Sequence, residues 1–144
     1  MIVGKLDNKQ LVIVDLLREA VRLGGGLLPD KNLSHDAWER ALATLSSAGQ
    51  PGQDAFEVIA EAGFERVVYL AFSDDQTAVP GEDRALENLG IEFVHIPVVW
   101  EAPTVSDFRA FAGAMQQDPD RKTLVHCQVN FRASTFSFLY RVLY

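Results

Sequence analysis

Three short apolar runs, at residues 66–72, 91–96 and 122–126, recur through the second half of the chain with little polar alternation, and helix-like segments separate them. A strand with one wet face alternates apolar and polar residues, so a run without alternation is expected to be covered on both faces. Strands joined through helices cannot be hairpins. They return by right-handed crossovers and lie parallel. The pattern therefore predicts an α/β fold, a three-layer sandwich with a short, mostly parallel sheet between helices on both faces.

The connecting segments carry their own punctuation. A helix is expected from Asp54, with Phe56, Ile59 and Ala60 inward and Gly63 closing it. Residues 82–89 form a short helix ended by Gly90. Thr104-Val105-Ser106-Asp107 reads as a capping box ahead of Phe108, Phe111 and Met115, and residues 133–144 form a last apolar helix. The first 44 residues are less regular. Residues 11–14 fit a strand or the start of a helix running through Leu16, Ala20 and Leu23 to three glycines, and the later part of this stretch favours helix. Ser34 is expected to cap a helix with Trp38, Ala41 and Leu45 on one side. The chain thus reads as one domain, 1–144, with residues 1–44 a helical extension of unassigned role.

Charge and composition narrow the partners. The formal net charge is −7 and no Lys/Arg stripe is present, so neither nucleic acid nor an anionic membrane is expected as a partner. No apolar run nears the roughly 20 residues of a membrane span. The first residues do not resemble a signal peptide, and a cytoplasmic location is expected. The chain holds a single cysteine, which excludes an intrachain disulfide and a Cys-x-x-Cys pair. No His/Cys/Asp spacing suggests a metal site, and no cofactor is expected.

That cysteine, Cys127, is the first residue past the run 122–126, in the segment His126-Cys127-Gln128-Val129-Asn130-Phe131-Arg132-Ala133-Ser134. In parallel sheets ligands bind at the carboxyl ends of strands. A tight loop between strand and helix gathers backbone N–H groups around one centre, and the helix adds its positive end. Such settings lower a thiol from about 8.5 to roughly 3.5–7.5. A thiolate beside an anion cradle suits attack on a phosphoryl group, and the fork of Arg132 could grip two of its oxygens. In so acidic a chain, affinity for phosphate has to be local.

His126-Cys127, a short loop, Arg132 and the hydroxyl of Ser134 together resemble the signature of the cysteine phosphatases. More narrowly, Gly49-Gln50-Pro51 before a helix, the segment Pro97 to Pro103, and residues 126–134 resemble a bacterial phosphatase-like family whose domain also occurs fused to beta-lactamase-like hydrolases. The resemblance spans about residues 45–144. It implies a cysteine-phosphatase-like sandwich and hydrolysis of phosphoric monoesters through a phosphocysteine. Cys127 would be the nucleophile, Arg132 the clamp, and His126 the residue that holds the loop and lowers the thiol pKa. Ser134 would donate to the leaving thiolate. The amides of Gln128, Val129, Asn130, Phe131 and Arg132 would cradle the oxygens. The implied partner is a phosphorylated small molecule or a phosphoprotein.

Tyrosine phosphatases place five residues between Cys and Arg, usually with a central glycine; here four intervene and none is glycine. Asn130 tolerates the left-handed conformation such a turn requires. Four intervening residues is also the spacing of rhodanese-like sulfurtransferases, so a persulfide carrier and a non-catalytic anion-binding pseudo-phosphatase stand beside the phosphatase reading. The required general acid is expected at Glu101, in a Trp- and Pro-bearing loop resembling the phosphatase acid loop. Asp107 is the runner-up, though capping already explains it. Asp74 and Asp75 follow another strand's carboxyl end and could also approach, but as loop residues they are expected to be solvated. His35 is expected at the surface, and His95 reads as a hydrogen-bonded core residue.

Overall fold

The computed structural model describes residues 44–144. Eight elements alternate: β1 (Leu45–Ala48), α1 (Ala55–Glu61), β2 (Arg66–Tyr69), α2 (Glu82–Asn88), β3 (Glu92–His95), α3 (Val105–Gln116), β4 (Thr123–His126) and α4 (Phe131–Leu143). The sheet order is β1-β4-β2-β3, and every neighbouring pair is parallel. The chain moves outward to β3, then returns to insert β4 between β1 and β2. That insertion makes β4 central and puts its carboxyl end at the switch point where such sheets bind ligands.

Strand alternation divides the core into two layers. Val67 pairs in register with Leu124, and both face Phe56 and Ile59 of α1 and Leu86 of α2. One residue on, Val68 pairs with Val125, and both face Phe108, Phe111 and Met115 of α3 and Ala133, Phe136 and Leu139 of α4. Helices thus cover both faces, as the unalternating runs require. Phe111 is fully buried and its ring meets those of Phe108, Phe136 and Tyr140. Truncating it to alanine would cost about 3–5 kcal/mol.

The helix boundaries follow from local chemistry. Thr104 and Asp107 form the expected capping box, each side chain bonded to the other's backbone N–H at 3.0 and 2.8 Å. Gly63 and Gly90 adopt φ of +85° and +79°, where a side chain would be strained.

Three expectations are corrected. Leu45 belongs to strand β1, not to a helix begun at Ser34; the residues upstream, with Trp38, Ala41 and His35, lie outside the described segment. The last helix begins at Phe131 rather than at residue 133, because Asn130 turns the chain in the left-handed region. His95 is hydrogen-bonded, its Nε2 lying 2.6 Å from the Ala71 carbonyl oxygen, but it is exposed rather than in the core. It sits on β3, an edge strand of the sheet.

Candidate active site

The loop between β4 and α4 is pinned from both sides. The Cys127 N–H donates to the Ala48 carbonyl at 3.4 Å, and the Leu70 N–H donates to the His126 carbonyl at 2.9 Å. On the β1 side, Gly49 approaches so closely that a Cβ there would lie 3.1 Å from the Gln128 carbonyl oxygen, and the Gln50 N–H donates to that oxygen at 3.1 Å. Gly49-Gln50-Pro51 therefore packs against the cysteine loop, and a side chain at position 49 would press on the loop backbone. At the other end Asn130 takes φ 72° and launches α4, whose positive end faces the loop.

Arg132, in the first turn of α4, folds back and is 2% exposed. Its Nη1 donates to the Val98 carbonyl at 2.7 Å and its Nη2 to Gln128 Oε1 at 3.1 Å. The guanidinium lies 5.0 Å from the centre of the Trp100 ring, and Trp100 meets the edge of Phe131. Its Nε is buried and has no hydrogen-bond partner among the described residues. Above it opens a cavity of about 400 Å³, lined by Phe72, Asp75, Val99, Trp100, Glu101, Gln128, Val129 and Arg132.

Beneath the loop, His126 Nε2 lies 2.9 Å from Glu82 Oε1, with both side chains buried. Gln50 Nε2 donates to the same oxygen at 3.3 Å. Tyr69 stacks between the rings of His126 and His95, at 4.7 and 4.9 Å, and its hydroxyl donates to the Phe72 carbonyl at 2.7 Å. Burial, reinforced by Asp75 and Glu82, pushes the Tyr69 phenol up to about 12. Tyr69 is therefore neutral at any ordinary pH.

The residues singled out by sequence fall into three groups. Arg132, Glu101, Gln128 and Val129 meet in the cavity wall. Cys127 and His126 lie beneath it, fully buried; Cys127 packs with the core layer of Val125, Ala133 and Phe136 and does not line the cavity. Ser134 is exposed and donates to the Phe131 carbonyl at 3.2 Å, outside that wall, while Asn130 forms the turn and Phe131 backs Trp100. Asp75 departs from the solvated role expected of it: it is half-buried, accepts from the Phe72 N–H at 3.1 Å and lines the cavity. Glu82 was legible only as an acidic residue opening a helix, and its sequence neighbours give no signal of its contact with His126. Among the described residues no cluster of His, Cys, Asp and Glu has the makings of a metal site, and no helix is long and apolar enough to cross a membrane.

A parallel sheet with a cysteine at the carboxyl end of its central strand and an arginine in the following helical turn is the architecture of the protein-tyrosine-phosphatase-like domains. Residues 30–142 match the model of the family described as DSP-PTPase phosphatase fused to NAD+ kinase, and the chain belongs to that family. It is similar to a DUF442 protein of Shewanella putrefaciens CN-32, provisionally described as a phosphatase. The two are 38% identical with a TM-score of 0.66, over 68% of this chain and 62% of that one. The kinase-associated phosphatase, crystallised with serine in place of its catalytic-site cysteine, shares the fold: 17% identity and a TM-score of 0.57 over 66% of this chain and 65% of that one. A beta-lactamase hydrolase-like protein of Xylella fastidiosa strain Temecula1 is 29% identical over 92 residues, which are 62% of this chain. The match spans about a fifth (21%) of that relative's length, in keeping with a phosphatase-like domain that also occurs in fusions.

Proposed function

We propose that the chain hydrolyses phosphoric monoesters, of a small molecule or a phosphoprotein, through a phosphocysteine on Cys127. The observation that carries this reading is Arg132. Its guanidinium is buried at the mouth of the cysteine loop, beside a cavity, with its Nε unpartnered, in a chain of a phosphatase family. An incoming phosphate would take two oxygens to the guanidinium fork and the rest to loop amides, replacing the bonds to Val98 and Gln128. The Cys127 thiolate would attack phosphorus in line as the P–O bond to the leaving group breaks. Glu101 would give its proton to the departing oxygen. Water would then attack phosphorus, break the P–S bond and release inorganic phosphate, with Glu101 taking the proton. Because Cys127 is enclosed, phosphate binding has to be coupled to movement of Arg132 and the loop.

Family membership favours hydrolysis over a persulfide carrier. Turnover separates it from a binding-only pseudo-phosphatase. The test is phosphate release from an aryl phosphate by wild type and Cys127→Ser. The serine variant is expected to lose on the order of a thousandfold or more. Equal rates for the two proteins would remove the reading, as would an inert wild type across a panel of phosphomonoesters.

A further inference from the structure

We propose that Asp75 is a specificity-determining residue of the Arg132 cavity. With it, the cavity selects phosphomonoesters that carry one phosphate on a neutral or cationic leaving group, and it rejects esters with further anionic groups. This rests on the reading of that cavity as the seat of phosphate hydrolysis, and it names the substrate class. In that reaction Arg132 holds the phosphate and Glu101 moves the proton. Asp75 has no part in either step, yet its side chain lines the same wall.

A local role explains only part of Asp75. The Phe72 N–H donates to its Oδ2 at 3.1 Å, which staples the turn after β2. The Asp75 N–H donates back to the Phe72 carbonyl at 3.0 Å, and the Tyr69 hydroxyl donates to the same carbonyl at 2.7 Å. An asparagine oxygen would accept the Phe72 N–H equally well, so the turn does not require the charge. Nor does a cation account for it. No ion pair joins Asp75 to Arg132 or to any other cation among the described residues.

The cavity wall is the opposite of what a polyphosphate needs. Among the described residues Arg132 is its one cation, against the carboxylates of Asp75 and Glu101. The other basic side chains lie elsewhere. Arg66, Arg121 and Lys122 sit at the amino ends of β2 and β4, and Arg141 donates to the carbonyl of Leu45 at the start of β1. Arg84 and Arg109 are exposed on α2 and α3, outside the wall. A phosphate held at Arg132 would engage the only counter-charge present. A second phosphate or carboxylate in the cavity would then meet Asp75 unpaired, with both desolvation and like-charge repulsion against it. The rest of the wall suits an uncharged group. Phe72, Trp100, Val99 and Val129 are apolar, and the two valines are 48% and 57% exposed, open to a leaving group. An ammonium group in the same place would be attracted by the carboxylate of Asp75.

The experiment compares kcat/KM for two phenyl phosphates, one with a meta aminomethyl group and one with a meta carboxylate, in wild type and Asp75→Asn. Asparagine keeps the acceptor for the Phe72 N–H and removes the charge. Wild type is expected to favour the cationic ester by about tenfold or more. Asp75→Asn should reduce that preference by about fivefold, the scale of one charge acting across a partly hydrated cavity. Differences in leaving-group acidity are the same for both proteins and cancel in this ratio. Salt at about 1 M should shrink the wild-type preference likewise, because the screening length falls to about 3 Å. A wild type that hydrolyses both esters equally overturns the inference and leaves the phosphatase reading standing. So does an Asp75→Asn protein that loses rate on both esters alike with the preference unmoved, since a merely structural role would do that. Should Asp75→Asn not fold, a wild-type preference insensitive to salt overturns it. A wild type inert toward both esters would remove the phosphatase reading itself, and this inference with it.

Discussion

Among the described residues two arginines are buried, one at each end of the sheet, and they are used differently. Arg66, at the start of β2, is 1% exposed and has every nitrogen engaged. Its Nε donates to Thr123 Oγ1 at 3.0 Å, Nη1 to the Ala114 carbonyl at 3.1 Å, and Nη2 to the Asp118 carbonyl at 3.1 Å, with Met115 Sδ at 3.6 Å. It ties the carbonyl end of α3 to the sheet, where a cation also complements the helix dipole. Arg132 is as deeply buried but leaves Nε unpartnered and borders a cavity. Burial of charge therefore does not mark the site. What marks it is a buried cation with unused hydrogen-bonding capacity, placed beside open space.

That contrast can be broken by exchanging each arginine for lysine, which keeps the charge and loses the fork. Arg132→Lys should lower kcat/KM toward an aryl phosphate by about 10²–10³, the scale of losing one preorganised donor in a transition state. Its unfolding free energy should fall by only about 1 kcal/mol. Arg66→Lys should do the reverse. Denaturant unfolding is expected to show a loss of about 3 kcal/mol, since several charge-assisted bonds go at once, with turnover of the folded protein unchanged. If both variants lost activity alike and stability alike, the distinction between the two ends would be gone.

A smaller effect sharpens the comparison at the Arg132 end. The folded pKa of Tyr69, about 12, lies above its ordinary 10.0. Stability from keeping that phenol neutral is therefore complete below about pH 10 and is lost as pH rises through 12, by about 2 kcal/mol. Unfolding measured across that range should steepen in the wild type more than in Tyr69→Phe. Equal slopes would mean the phenol is better hydrated than its position between two histidines implies.

Much of this architecture was legible in the sequence because its signals are local. Unalternating runs mark strands covered on both faces, and Thr104 with Asp107 marks the start of α3. The strand–loop–helix context of Cys127 and Arg132 was legible for the same reason. β1 was missed because Leu45–Ala48 has two serines among its four residues, and only pairing with β4 makes it a strand. Glu82 was missed, and Asp75 was expected mainly in solvent though able to approach the site, because their contacts depend on the fold. Glu82 meets a histidine brought in by β4, and Asp75 reaches the cavity through its bond to the Phe72 N–H. The same limit applies to Ser134: sequence spacing placed a hydroxyl near the arginine, and the helix turns it toward the Phe131 carbonyl.

The central claim is that the loop from Cys127 to Arg132 gathers an anion over the sulfur, and a crystal of this protein soaked in vanadate tests it most directly. The account predicts an anion held by the loop amides and the Arg132 fork, within bonding reach of Cys127 Sγ, with the bond to the Val98 carbonyl broken. An empty cavity, with Arg132 still on Val98 and the sulfur still enclosed, would contradict it.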